Sequence, residues 1–288
     1  MGKKMRNRIG SCAVLILILA QLTGCSSAGD RVTVPEWSVD ATMYEVNIRQ
    51  YTKEGTFKAF EEHLPRLQAM GVEILWFMPI YPISREKRLG TLGSYYSIAD
   101  YCEINPEFGT KEDFKHLVTT CHEMGFKVIL DWVANHTGWD HEWIRKHPDW
   151  YTKNAKGEII FPETWEDVAD LNYNSKSMQR AMLKAMTYWV KEYDVDGFRC
   201  DYAGGVPLEF WETARKKLNR IKPVYMLAED DKAMSLMRYA FNANYGWSLF
   251  HDLNSIARGV KKAESLKDYF QNKIPSYPPG TYPLHFID

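Results

Sequence analysis

The sequence has 288 residues, 45% of them hydrophobic and 25% charged, which is ordinary globular material with enough chain for one large domain or two smaller ones. Lys and Arg nearly balance Asp and Glu, for a formal net charge of −1, so no field strong enough to recruit nucleic acid is implied. The composition excludes a disordered chain, and the 14% aromatic content is compatible with sugar-stacking surfaces without demonstrating one.

At the N-terminus, Lys3, Lys4, Arg6 and Arg8 precede an apolar run from Ala13 to Ala20 that is too short to span a bilayer. This predicts an export signal over residues 1–24, set apart from the fold, and a polar tether over residues 25–41. With Cys12 inside the signal, Cys102, Cys121 and Cys200 have no metal-type spacing and are expected to behave as small buried apolar residues.

From Thr42 to Ile48 the chain alternates and is β-rich, which predicts a first strand. A helical stripe of Phe57, Phe60, Leu64 and Leu67 follows, kinked at Pro65 and stopped at Gly71. The apolar run Val72 to Met78 then reads as a buried strand. The same grammar recurs: Thr110 caps a helix with Asp113 three residues on, Gly125 ends it, and Phe126 to Leu130 is a strand finishing at Asp131. A third copy runs from Ser175 to a strand ending at Asp201, and a fourth has a helix from Leu208 to Ile221 and a strand from Val224 to Ala228, ending on Glu229. Farther on, the pattern predicts a strand within Phe241 to Phe250, a helix over Ile256 to Phe270 and a last strand over Tyr282 to Ile287.

Helices alternating with short apolar strands imply a parallel sheet, and carboxylates at successive strand ends imply a site at its C-terminal rim. The expected fold is a (β/α)8 TIM-type barrel with about seven strands present, over residues 42–288. An excursion after the third strand, at about residues 132–174, is rich in aromatic residues (Trp139, Trp143, Trp150, Tyr151, Trp165) and is expected to wall one side of a cleft.

Arg199 and Asp201 alternate onto one face of the strand that opens at Gly197, and Glu229 ends the next strand. Two carboxylates facing across a cleft are what retaining glycoside hydrolysis requires, one as nucleophile and one as acid and then base. Arg199 is expected to keep Asp201 ionised, and Glu229 to be held protonated near neutral pH by burial and its acidic neighbour.

Two resemblances sharpen this. Leu22-Thr23-Gly24-Cys25 is similar to the bacterial lipoprotein processing box, which implies lipidation of Cys25 and a place at the cell envelope; an ordinary signal peptide is the alternative. The segments Asp131-Trp132-Val133-Ala134-Asn135-His136, Gly197-Phe198-Arg199-Cys200-Asp201 and Ala228-Glu229 resemble, in order, the first three conserved regions of the α-amylase family, glycoside hydrolase family 13. Gly93 to Tyr101 and Ala169-Asp170-Leu171-Asn172 resemble it too.

The resemblance implies Asp201 as nucleophile, Glu229 as general acid/base, Arg199 orienting the nucleophile, His136 bonding the sugar whose bond is cleaved, and Tyr96 as its stacking platform, with Tyr95 competing for that place. Asp131 is expected to be structural. Asn135 and Asp170 match positions that hold calcium in many family members; no other cofactor is implied. Tyr202-Ala203-Gly204-Gly205 stands where many α-amylases carry Lys-His against the leaving-side glucose. The family's fourth region, Asn-His-Asp, is absent, Phe286-Ile287-Asp288 looking like its approach, and the expectation is a C-terminally truncated domain of low activity. The implied partner is an α-glucan oligosaccharide or polysaccharide. Three readings follow: an α-glucan hydrolase, a transglycosylase using the same intermediate, and a non-catalytic glycan-binding or partner protein on the same barrel.

Overall fold

The computed structural model describes Val32 and residues 34–287; the stretch read as an export signal, Cys25 and Asp288 lie outside the described residues. Among the described residues nine strands follow in chain order: β1 (Met43–Val46), β2 (Ile74–Phe77), β3 (Lys127–Val133), β4 (His136–Gly138), β5 (Val168–Asp170), β6 (Gly197–Asp201), β7 (Tyr225–Ala228), β8 (Ala243–Tyr245) and β9 (Tyr282–Leu284). Seven of them form one sheet in the order β1-β2-β3-β6-β7-β8-β9, and every neighbouring pair is parallel. Strands added one after another in a single direction, with helices in the crossovers, are the topology of a (β/α)8 barrel with seven of its strands. β4 and β5 pair antiparallel in a ribbon of their own, within the excursion over residues 132–174.

The period of two sorts the sheet. Ile74, Trp76, Ile129, Tyr225, Leu227, Ala243 and Tyr245 pack together on the concave face. Leu75, Phe77, Val128, Leu130, Phe198 and Met226 point the other way, into the layer shared with the helices. Gly197 is obligatory at the start of β6, because a Cβ there would lie 1.9 Å from the carbonyl oxygen of Tyr225.

Local signals explain the helices. Thr110 and Asp113 form a reciprocal capping box on the helix Lys111–Glu123. The Ser175 side chain accepts from Met178 N–H at the start of the helix Lys176–Glu192, which buries Met178, Met182, Met186 and Trp189 against the sheet. Pro65 has a larger effect than a kink. The stripe breaks into separate helices, Phe57–Glu61 and Leu64–Ala69, with Pro65 in the first turn of the second, where its missing N–H leaves no bond unmade.

In the last third the two expected strands form as β8 and β9, and the helix between them departs from expectation. The helix predicted at 256–270 forms earlier, at Trp247–Ala257, directly after β8. It stops because Gly259 adopts a left-handed φ of 71°, and a run of short helical turns then extends from Ala263 to Ser276, so the expected stretch is helical only in part. Of the stretch read as a tether, Pro35 to Ala41 lie against the barrel: the Trp37 ring is 6.0 Å from that of Tyr225, and Ser38 O accepts from Tyr282 Oη at 3.1 Å. Cys121 and Cys200 are buried and unpaired as expected, whereas Cys102 is only half-buried.

The two rims of the sheet carry charge for different ends. At the N-terminal rim Asp196 accepts from Val128 N–H at 2.9 Å and pairs with His122 at 2.7 Å and Lys222 at 3.0 Å, tying helices to the sheet. The C-terminal rim opens into a cleft.

Candidate active site

The site begins with register. Asp131 of β3 stands opposite Arg199 of β6, and Cys200 stands opposite Ala228 of β7, so Glu229 emerges beside Asp201. Arg199 is nearly fully buried, and its fork reaches three carboxylates. Nη1 is 3.1 Å from Asp131 Oδ1 and 3.0 Å from Asp201 Oδ1, and Nη2 is 2.7 Å from Glu229 Oε1. Nε donates to Tyr245 Oη at 3.3 Å. Only a planar guanidinium can satisfy acceptors in so many directions from one place.

The carboxylates differ in surroundings. Asp131 has no exposure and receives Trp76 Nε1–H and Tyr96 Oη–H, each at 3.2 Å, besides Arg199. Burial raises its carboxyl above the usual range, against the opposing charge of Arg199. It sits inside β3 rather than at its end, behind the cleft, as the brace of the arginine. Glu229 is half-buried, and its Oε2 accepts from Tyr202 N–H at 2.8 Å. Burial pushes Glu229 up, as do the charge of Asp201 and a hydrogen bond to it, while Arg199 and the Tyr202 amide pull it down.

A cleft of about 710 Å³ opens over these groups, lined by Tyr96, His136, Trp165, Asp201, Tyr202 and Glu229 among others. Tyr96 faces it; Tyr95 does not, since its hydroxyl donates to Asn47 Oδ1 at 3.0 Å and its ring lies 4.6 Å under Arg49. His136 is buried in the wall, where burial holds its imidazole down to about 4 and hence neutral at neutral pH. Thus Tyr96, His136, Arg199, Asp201 and Glu229 are brought together at one rim.

Asn135 and Asp170 are also neighbours, Leu171 N–H donating to Asn135 O at 3.1 Å while His136 pairs with Asp170 across the ribbon. Asn135 Nδ2 faces His136 Nδ1 at 3.4 Å, and among the described residues no three His, Cys, Asp or Glu gather as metal ligands. One carboxylate and one amide fall well short of the roughly six to eight oxygens that calcium takes.

Several cleft residues escaped the sequence reading. Asp230, Asp231 and Lys232 line it from the loop after β7, and Trp247 from the start of the helix after β8. Of the aromatic residues in the excursion only Trp165 reaches it; Trp150 and Tyr151 are buried and Trp139 lies under Lys87. Position directly after Glu229 was the one available signal, for Asp230 and Asp231.

A parallel sheet with buried Arg and paired carboxylates at its C-terminal rim defines a barrel of the glycosidase type. Residues 27–264 match the family described as alpha amylase, catalytic domain, and the chain belongs to that family. It is similar to the crystal structure of an α-amylase from Lactobacillus plantarum, with 36% identity and a TM-score of 0.78 over 84% of this chain and 61% of that one. A maltogenic α-amylase, AmyB, from Thermotoga neapolitana gives 37% identity and a TM-score of 0.77 over 84% of this chain and 57% of that one. The α-amylase MalA of Haloarcula japonica is 31% identical over 62% of this chain and 27% of its own length. The chain therefore spans 61% or less of the length of each of these three relatives.

Proposed function

We propose that this cleft binds α-linked glucans and cleaves them with retention, Asp201 acting as nucleophile and Glu229 as general acid and then base. The observation that carries the reading is the single Arg199 fork shared by Asp201 and Glu229 on adjacent strands. Asp201 Oδ attacks the anomeric carbon while Glu229 delivers its proton to the glycosidic oxygen, and the leaving sugar departs as an alcohol. A glycosyl ester on Asp201 remains. Glu229, now a carboxylate, takes a proton from water, whose oxygen displaces Asp201 and restores both groups. Tyr96 and His136 hold the ring that becomes the ester. Displacement by a sugar hydroxyl in place of water gives transglycosylation through the same intermediate.

The test uses soluble maltooligosaccharides with the chain, Asp201→Asn and Glu229→Gln, following the first-formed product anomer by NMR. The α-anomer with both variants inactive supports the reading. The β-anomer overturns retention, and a chain that binds no maltooligosaccharide overturns the site assignment.

Lipidation at Cys25 and a place at the bacterial cell envelope are proposed on the sequence of the first 25 residues alone. Mass spectrometry of the mature N-terminus tests both; an unlipidated N-terminus elsewhere excludes them.

A further inference from the structure

The wall next to Glu229 has an arrangement that the catalytic reading leaves unused. Tyr202 follows the proposed nucleophile and takes a left-handed φ of 42°, a conformation that non-glycine residues adopt rarely and at a cost. Its backbone amide is committed to Glu229 Oε2, so the unusual turn throws its ring along the cleft. There the ring meets Trp165 edge to face, centroids 5.1 Å apart, and its hydroxyl donates to Glu163 Oε1 at 2.7 Å. Gly205 makes room for it, because a Cβ at that position would lie 2.2 Å from Tyr202 Cε1. Tyr202 is half-buried and lines the cleft, so one face of the ring is available.

We propose that the Tyr202 ring, braced by Trp165 and Glu163, is the stacking platform for the sugar on the leaving side of the scissile bond, and so sets which acceptors and products the site holds. The inference rests on the glucan-cleaving reading above. Glu229 must reach the oxygen of the departing sugar, so that sugar lies on the Glu229 side of the nucleophile, where Tyr202 stands. A tyrosine face is apolar, flat and wide enough for the C–H face of a pyranose. The bond to Glu163 and the edge contact with Trp165 fix the ring's tilt before the sugar arrives, so little ordering is left for binding to supply.

Saturation-transfer NMR with a thio-linked maltose, which resists cleavage, reads the contact sugar by sugar without depending on turnover. Irradiating aromatic protons of the unsubstituted chain is expected to saturate the reducing-end ring, which lies on the leaving side. In Tyr202→Ala that signal should fall and the dissociation constant rise by about two- to tenfold, the range for loss of one aromatic contact, while the non-reducing ring beside Tyr96 keeps its saturation. Tyr202→Phe retains the platform and should lose less than Tyr202→Ala, with thermal unfolding confirming that both variants fold. Equal loss across all rings, or an unchanged reducing-end signal, overturns the proposal. If no ring is saturated in the unsubstituted chain, the glucan reading itself falls, and this one with it.

Discussion

Arg199 Nη2 lies 2.7 Å from Glu229 Oε1 while Nη1 of the same fork holds Asp201 at 3.0 Å, so one buried cation fixes the distance between the two carboxylates on which the proposed chemistry depends. Arg199→Lys keeps the charge but offers a point donor in place of the fork. The expected result is a fall in kcat of about 10²–10³, the usual effect of losing one preorganised electrostatic group. Thermal unfolding of Arg199→Met should also show a loss of about 3–5 kcal/mol, since Asp131 would remain buried without its partner. A lysine variant with full activity would show that the fork is not needed.

Glu229 must be protonated to act as the acid. Burial raises it first, and Asp201 adds to this, so the basic limb of kcat/KM is expected above the ordinary glutamate value of about 4.3. Maltosyl fluoride, whose leaving group needs little proton assistance, separates the roles. Glu229→Gln should retain partial turnover of the fluoride with the basic limb removed, and lose turnover of maltooligosaccharides. A limb that persists in Glu229→Gln belongs to another group.

His136 gives a stability prediction with a definite sign. Its imidazole is held down to about 4 by burial, with Asp167 opposing, whereas an unfolded chain would titrate it near 6.5. The folded state therefore binds fewer protons in that interval, and the neutral ring's contribution is complete above about pH 6.5 and lost as pH falls toward 4. The loss is on the order of 3 kcal/mol. Denaturant titrations at pH 7 and pH 4 should show a smaller difference for His136→Asn than for the unsubstituted chain. Part of the slope will remain, since His141 is likewise pushed down to about 4 by burial. An identical slope in both would remove His136 from the account.

The barrel was legible because its strands read as short apolar runs, of which β3, β6 and β7 also carry a carboxylate at or near the end, and because a period of two assigns faces without further information. Counting that period also puts Arg199 and Asp201 on one side. What it does not give is register between strands. The contact of Asp131 with Arg199 follows from their pairing across β3 and β6, and nothing in either segment states it. Tyr95 and Tyr96 could not be separated, since both flank one turn and only the fold decides which faces the cleft. The β4–β5 ribbon was missed because three-residue strands have no periodicity to read. Tyr202 was noted only for what it replaces. Its role depends on a left-handed turn and on the space above Gly205, and neither is written in residue types.

The lining of the cleft also sets a charge preference that a single competition can read. Asp167, Asp201, Glu229, Asp230 and Asp231 all face it, with Lys232 the one cationic side chain in that lining among the described residues. Arg199 offsets part of the charge of Asp201 and Glu229, to which it is bound, so the excess lies with Asp167, Asp230 and Asp231. An anionic sugar entering this wall meets repulsion that a neutral one does not, strongest where the groups are shielded from water. Maltose 1-phosphate is therefore expected to bind at least about tenfold more weakly than maltose at low salt, a difference of about 1.4 kcal/mol. The gap should narrow as ionic strength rises, because charges at the mouth are screened while those near Asp201 are screened less. Fluorescence titration through Trp165 and Trp247, at low and at high salt, measures both. Lys232→Glu should widen the gap. Tighter binding of the phosphate ester would instead mark Lys232 as a phosphate anchor and reverse the assignment of this wall.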